Sequence, residues 1–155
     1  MNFNLLDFGA IFFARFIPFL FSLCFHEYAH GWVARWRGDR TAQMAGRLTL
    51  NPVAHADILG TVILPLFSMV SGFILFGWAK PVPVNPRNLR DPQRDMFWVA
   101  LAGPLSNILL ALVATAIFYV MNSLGLSITR TPLFMEFAYF FIAMNLVLAL
   151  FNLIP

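Results

Sequence analysis

The sequence predicts an all-α membrane protein, a polytopic bundle of transmembrane helices. Of its 155 residues, 60% are hydrophobic and only 11% are charged, whereas a soluble domain is nearer half apolar and a quarter charged. Apolar runs over 8–36, 96–124 and 133–153 are each long enough to cross a bilayer, which takes about 20 helical residues. We therefore expect one transmembrane domain in contact with lipid. The net charge of +3 is typical of basic cytoplasmic loops and predicts no nucleic-acid partner.

The first of these helices, 8–36, carries a polar cluster of His26, Glu27 and His30 after an apolar run. Residues four apart share one face of a helix, so the two imidazoles could bind one zinc ion. Glu27 beside them could take a proton from water. The pattern H-E-x-x-H is the zinc-hydrolase signature and also occurs by chance. Its position in an apolar helix favours a zinc site over two histidines that merely hydrogen-bond to neighbours.

A polar stretch, 35–57, follows the first helix, and an apolar stretch, 58–76, follows that. The alternation over 46–51 predicts a short β segment. His55 lies in this polar stretch, where it either caps a turn or packs over the active site and contacts zinc or substrate. At 1.5 Å per residue His26 lies roughly 27 Å along its helix, near one membrane face.

The distribution of basic residues bears on topology. Eight of the ten Lys and Arg residues lie in two loops, 35–57 and 77–95. If segment 58–76 is re-entrant, which Pro65 and Ser71-Gly72 would suit, both loops are cytoplasmic and obey the positive-inside rule. If it spans the bilayer, the loops lie on opposite sides. We favour the re-entrant course, which predicts a multi-pass cell-membrane protein with its active site near the cytoplasmic side.

The last two helices each carry asparagine in an apolar setting. Asn107 lies in helix 96–124, and Asn145 and Asn152 lie in helix 133–153. Polar residues inside a membrane are costly and tend to cluster around a function. The re-entrant model brings Asn107 and Asn152 near the level of the histidines. An asparagine in such a helix can also simply bridge two helices.

Three motifs together resemble the site-2 protease family of intramembrane zinc metalloproteases, in its compact bacterial form without an inserted peptide-binding domain. They are His26-Glu-Tyr-Ala-His30, Ala102-Gly-Pro-Leu-Ser-Asn107 and Asn145-Leu-Val-Leu-Ala-Leu-Phe-Asn152-Leu-Ile-Pro155. The resemblance implies a three-helix core, zinc held by His26 and His30, and Glu27 as general base. It also implies a transmembrane segment of another protein as substrate, with Asn152 beside it. Asn107, Asn145 and His55 are further candidate substrate contacts.

One departure from the family pattern concerns the third zinc ligand. In the family this is an aspartate in a Leu-Asp-Gly segment soon after the Asn-x-x-Pro motif, whereas the sequence here ends at Pro155. Catalytic zinc normally has three protein ligands, so we expect this chain to be C-terminally truncated. An alternative function is a metal or proton transporter that uses the same buried His, Glu and Asn side chains.

Overall fold

The structure, a computed structural model, describes residues 5–71 and 77–154, and within them it is built of helices joined by short loops. The α-helices are α1 Leu5–Ile11, α2 Ile17–Trp36, α3 Thr41–Met44, α4 Pro52–His55, α5 Leu64–Ser71, α6 Pro92–Ser123 and α7 Pro132–Leu153. Segments Phe12–Phe16 and Ile58–Ile63 are π-helical, and Pro86–Asn88 and Ser127–Arg130 are 3₁₀ turns.

Within the part of the chain that the structure describes, three helices are long and apolar enough to cross a membrane, and they confirm the three predicted spans. They are Phe8–Trp36, Pro92–Ser123 and Pro132–Leu153. The first span continues through α1 and α2 with a π-helical turn between them. Pro18 explains this turn, because proline has no N–H to donate to the carbonyl four residues earlier. The second span begins at Pro92 because the Asp91 side chain caps it, accepting from the backbone N–H of Arg94.

The predicted β segment over 46–51 is wrong, because these residues form a turn and bends and the described residues contain no strand. Local hydrogen bonds take the place of strand pairing. The Asn51 side chain accepts from the N–H of Val53 at 3.1 Å, and the Asn51 N–H donates to the Thr49 hydroxyl at 3.1 Å. Such side-chain bonds compete with regular secondary structure.

The predicted re-entrant course of 58–76 is not confirmed. Its described part, Ile58–Ser71, is a helix below the length needed to span, and residues 72–76 lie outside the described residues. Beyond that gap the chain lies beside the start of the segment. The N–H of Trp78 donates to the carbonyl of Gly60 at 3.0 Å, and the Thr61 hydroxyl donates to the carbonyl of Trp78 at 2.7 Å.

The three spanning helices pack against one another. Phe16, Phe19 and Leu23 of the first span form a buried apolar cluster, and Met144 and Leu148 of α7 pack against it. Much of their outer surface is large and hydrophobic, as expected of faces that contact lipid. An ion pair joins the first span to α7, with 2.6 Å between an Arg15 guanidinium nitrogen and a Glu136 carboxylate oxygen. This pairing explains how a basic residue is accommodated in the first span.

Asp39 ties together the two polar loops at the end of α2. Its side chain is fully buried and accepts hydrogen bonds from Thr41, from the Asn85 N–H at 2.7 Å and from the Asn88 amide at 2.9 Å. Burial raises the pKa of Asp39, but these hydrogen bonds outweigh it and hold the pKa below its ordinary value. The ionised Asp39 thereby fixes residues 85–88 against the loop that follows α2.

Candidate metal centre

His26 and His30 face each other one helical turn apart on α2, as their spacing predicts. Their Nε2 atoms are 3.0 Å apart, and their ring planes are at 82° to one another. His26 is buried and His30 is half-buried. The two ring nitrogens therefore converge on one small volume.

The opposite nitrogen of each ring is held by an acceptor on α6. His26 Nδ1 is hydrogen-bonded to Oδ1 of Asn107, and His30 Nδ1 is 2.7 Å from the carbonyl oxygen of Val99. A carbonyl oxygen only accepts, so each Nδ1 donates and each neutral ring carries a lone pair on Nε2. Two lone pairs that face each other at 3.0 Å repel unless a cation lies near both. This donor set fits a zinc ion, because metal-binding histidines commonly donate the other N–H to an oxygen.

Gly103 of α6 provides the space in front of these nitrogens. A Cβ atom at this position would overlap the Nε2 atoms of both His26 and His30. The absence of a side chain therefore lets α6 approach the histidines and leaves room where they converge. The donors and the space together fit a metal ion. Over 5–71 and 77–154 the structure has no group of three His, Cys, Asp or Glu side chains that could hold one.

Replacing Gly103 by Ala is expected to displace the imidazoles and to remove most of the zinc from the purified full-length protein. The added methyl would overlap Nε2 of both histidines, and core overpacking typically costs about 1–3 kcal/mol. Metal analysis measures the result. Gly9→Ala is the matched control, because a Cβ atom at Gly9 meets no atom within 4 Å. Full zinc content in a folded Gly103→Ala variant would contradict this assignment.

Glu27 is the carboxylate beside the histidine pair. Its Oε2 accepts a hydrogen bond of 2.8 Å from the backbone N–H of Val82. Val82 is buried between Pro81 and Pro83, which have no N–H. Arg47 fixes the same segment by donating to the carbonyl of Lys80 at 2.7 Å. The segment around Val82 thus holds Oε2 of Glu27 in place, and Oε1 takes no part in this hydrogen bond.

A cavity of about 560 Å³ opens at His26 and Glu27 between α2, α7 and residues 77–79. Its lining is mainly apolar: Leu23, His26, Glu27, Gly77, Trp78, Ala79, Met144, Val147, Leu148, Phe151 and Asn152. A ligand in this cavity would contact both the His26 ring, which points towards the metal position, and the carboxylate of Glu27. The cavity is therefore the candidate substrate site.

The structure separates the other predicted site residues into two groups. Asn152 lines the cavity, and its amide donates to the carbonyl of Leu148 on its own helix at 2.8 Å. Asn107 and Asn145 are fully buried behind His26. His55 is also buried, with Nε2 2.7 Å from the carbonyl oxygen of Thr49. Because these last three side chains are inaccessible and do not line the cavity, a direct substrate contact by them is not expected.

Three residues of the site have roles that the sequence analysis missed. Gly103 belongs to a quoted motif, but its position in front of the histidines depends on how α6 docks. The Ser22 hydroxyl accepts a hydrogen bond of 2.8 Å from the amide of Asn145 behind His26. Ser22 lies one turn before His26, a spacing that could have placed it on the histidine face. Val82 acts through its backbone, and its only sequence signal is that it is the N–H donor between two prolines.

Comparison with known proteins identifies the family. The model of peptidase family M50 matches residues 14–132. The chain belongs to peptidase family M50. This confirms the resemblance to the site-2 proteases that the three motifs predict.

Several relatives of this M50 chain are named as zinc metalloproteases. The chain is 40% identical over 141 residues to "Putative zinc metalloprotease YwhC" of Bacillus subtilis, an alignment covering 90% of this chain and 61% of that protein. It is 34% identical over 110 residues to "Putative zinc metalloprotease Rip2" of Mycolicibacterium smegmatis, covering 70% and 40%. The Rip2 protein of Mycobacterium tuberculosis is also 34% identical, over 113 residues. The chain thus spans about three fifths of the first relative and two fifths of the others. No solved structure matches it.

Proposed function

We propose that this chain forms the core of a zinc-dependent intramembrane endopeptidase that cleaves transmembrane segments of other membrane proteins. The observation that carries the proposal is the histidine pair, whose Nε2 atoms converge at 3.0 Å while both Nδ1 atoms are held. His26 and His30 would hold the zinc. The family resemblance implies a third ligand from an aspartate in a Leu-Asp-Gly segment, and residues 1–155 contain no such segment.

The residues of the chain supply the proton transfer and the positioning. When bound, zinc supplies a Lewis acid that makes water a nucleophile at neutral pH. Glu27 accepts a proton from the attacking water and can later return it to the leaving amine. The Val82 N–H, 2.8 Å from Oε2, orients the carboxylate for this task. Cleavage would take place in the cavity that Glu27 and His26 share.

The apolar lining of the cavity supports a transmembrane segment as substrate. Leu23, Met144, Val147, Leu148 and Phe151 would contact apolar side chains. A helical substrate has its backbone carbonyls engaged within the helix, so it must unwind locally before one of them can be attacked. Asn152 lies at the cavity wall, where its amide could hydrogen-bond to the freed backbone.

The two arginine-rich loops support a cytoplasmic position for the site in the cell membrane. They contact each other, with 3.1 Å between Arg37 and Asp95 and 2.7 Å between the Arg47 guanidinium and the carbonyl of Lys80. Loops in contact lie at the same membrane face, and loops rich in Lys and Arg are usually cytoplasmic. The same contacts favour a re-entrant course for segment 58–76.

Replacing Val82 by Pro is expected to slow cleavage by roughly 10–100-fold, because a hydrogen bond to a charged group is worth about 1.5–3 kcal/mol. The substitution removes the N–H that orients Glu27 but keeps a similar volume. Val82→Ala is the control, since it shortens the side chain and retains the N–H. Initial cleavage rates of the full-length variants measure the difference. Slower cleavage by the Ala variant than by the Pro variant would contradict the orienting role.

The experiment that tests the function is cleavage of a membrane-spanning reporter by the full-length protein, with and without a zinc chelator. Chelator-sensitive cleavage is the expected result. If the reporter stays intact while sealed vesicles containing the protein take up zinc or protons, the transporter alternative is favoured instead.

A further inference from the structure

We propose that Ser22 and Asn145, acting through Asn107, fix the proton of His26 on Nδ1 and so keep its Nε2 free for zinc. These three side chains are positioning residues, since they act on the metal through His26. The inference rests on the proposed function for the identity of the metal. The hydrogen bonds that link Ser22, Asn145, Asn107 and His26, here called the relay, all lie within the described residues.

The relay crosses all three spanning helices. Ser22 on α2, Asn107 on α6 and Asn145 on α7 are fully buried. The Asn107 amide donates to Oδ1 of Asn145 at 2.7 Å, and the Asn145 amide donates to the Ser22 hydroxyl at 2.8 Å. The relay ends on backbone carbonyls: Asn145 also donates to Phe141, and Ser22 donates to Pro18, each at 2.8 Å.

The backbone carbonyls at the ends of the relay fix the orientation of its amide groups. The carbonyl oxygen of Phe141 only accepts, so Asn145 must turn its NH₂ group towards it. Its Oδ1 therefore faces Asn107, which must offer its own NH₂ group in return. Asn107 is left to present Oδ1 to His26. Because that oxygen also only accepts, the proton of neutral His26 lies on Nδ1.

The Ser22 end of the relay indicates the same orientation of the amide groups. The Ser22 hydroxyl donates its only hydrogen to the carbonyl of Pro18, so its oxygen accepts from the Asn145 amide. The Asn107 NH₂ group also faces a second acceptor, the backbone carbonyl of Ser22, at 3.4 Å. Reversing any amide would place two acceptors or two donors against each other.

Without this relay, the amide of Asn107 could rotate and present NH₂ to His26. Nδ1 would then have to accept, and the proton of a neutral ring would move to Nε2, where it would block the metal. The site lies where no bulk water can satisfy a mismatched amide, so the fully paired arrangement is strongly favoured. The relay therefore selects the tautomer that can bind zinc.

The tautomer of His26 is measurable by ¹⁵N NMR of histidine-labelled, metal-free, full-length protein. The expected result is a protonated Nδ1 in the wild type and a mixture of tautomers in Asn145→Leu. A wild-type His26 with its proton on Nε2 would overturn the proposal. This readout needs neither zinc nor cleavage, so failure of the proposed function remains distinguishable from failure of the relay.

Zinc affinity, measured by competition with a chelator, provides the second readout. Asn145→Leu is expected to weaken it by roughly 10–100-fold, the usual effect of losing a residue that orients a metal ligand. Ser22→Ala is expected to weaken it less, and it carries the test if the Leu variant does not fold. Ser68→Ala is the matched control, because its hydroxyl makes the same bond to a carbonyl four residues earlier, at 2.8 Å, outside the relay. Unchanged affinity in folded Asn145→Leu or Ser22→Ala would overturn the proposal.

Discussion

Replacing Glu27 by Gln is expected to reduce cleavage of a membrane-spanning substrate by roughly 10²–10⁴-fold, the usual contribution of a general base. An amide cannot accept the proton that the carboxylate takes from water. The variant should still fold and bind zinc, because Gln can accept the Val82 N–H that Glu27 now accepts at 2.8 Å. The measurement is the initial rate of reporter cleavage by the full-length protein, with zinc content determined on the same sample.

Glu136→Gln is the matched control for this substitution. Glu136 also lies in a membrane helix, but it pairs with Arg15 and does not line the cavity. It should retain most of the cleavage activity. Wild-type cleavage by the Glu27→Gln variant would contradict the proposed mechanism.

Replacing His26 or His30 by Ala is expected to remove both zinc and cleavage activity. Each change takes away one of the two nitrogens that converge at 3.0 Å. The loss of affinity should exceed the roughly 10–100-fold expected for a residue that only orients a ligand. Metal analysis of the purified full-length variants gives the zinc content, and thermal unfolding shows whether they are folded.

His55→Ala is the control, since His55 is the third histidine of the chain and lies outside the cavity lining. Its Nε2 is engaged by the carbonyl of Thr49 at 2.7 Å. A folded His55→Ala variant should therefore keep its zinc. Loss of zinc from this variant, with retention in His26→Ala, would contradict the site.

The sequence predicts the spans and the metal-facing pair because both depend on patterns within one helix. Long apolar runs indicate the three spans, and the four-residue spacing of His26 and His30 places them on one face. The roles of Asn107 and Asn145 depend instead on how α6 and α7 rotate against α2, which no single-helix pattern specifies. Their positions in apolar helices therefore predict contacts with substrate, whereas the structure places both asparagines behind His26.

The segment around residues 46–51 shows a different limit of pattern reading. Alternation there predicts a strand, but a strand needs a partner, and the side chains of Thr49 and Asn51 instead bond to the nearby backbone. Likewise, a backbone contact such as that of the Val82 N–H with Glu27 joins residues 55 apart in the chain. Only the folded arrangement reveals such a contact.

X-ray absorption at the zinc edge of the full-length protein shows whether His26 and His30 hold the metal. We predict two imidazole nitrogens at the usual Zn–N distance of about 2.0–2.1 Å. We also predict no bound zinc after His26→Ala and His30→Ala are combined. A zinc ion without imidazole ligands, or an unchanged spectrum in the double variant, would contradict zinc binding by His26 and His30.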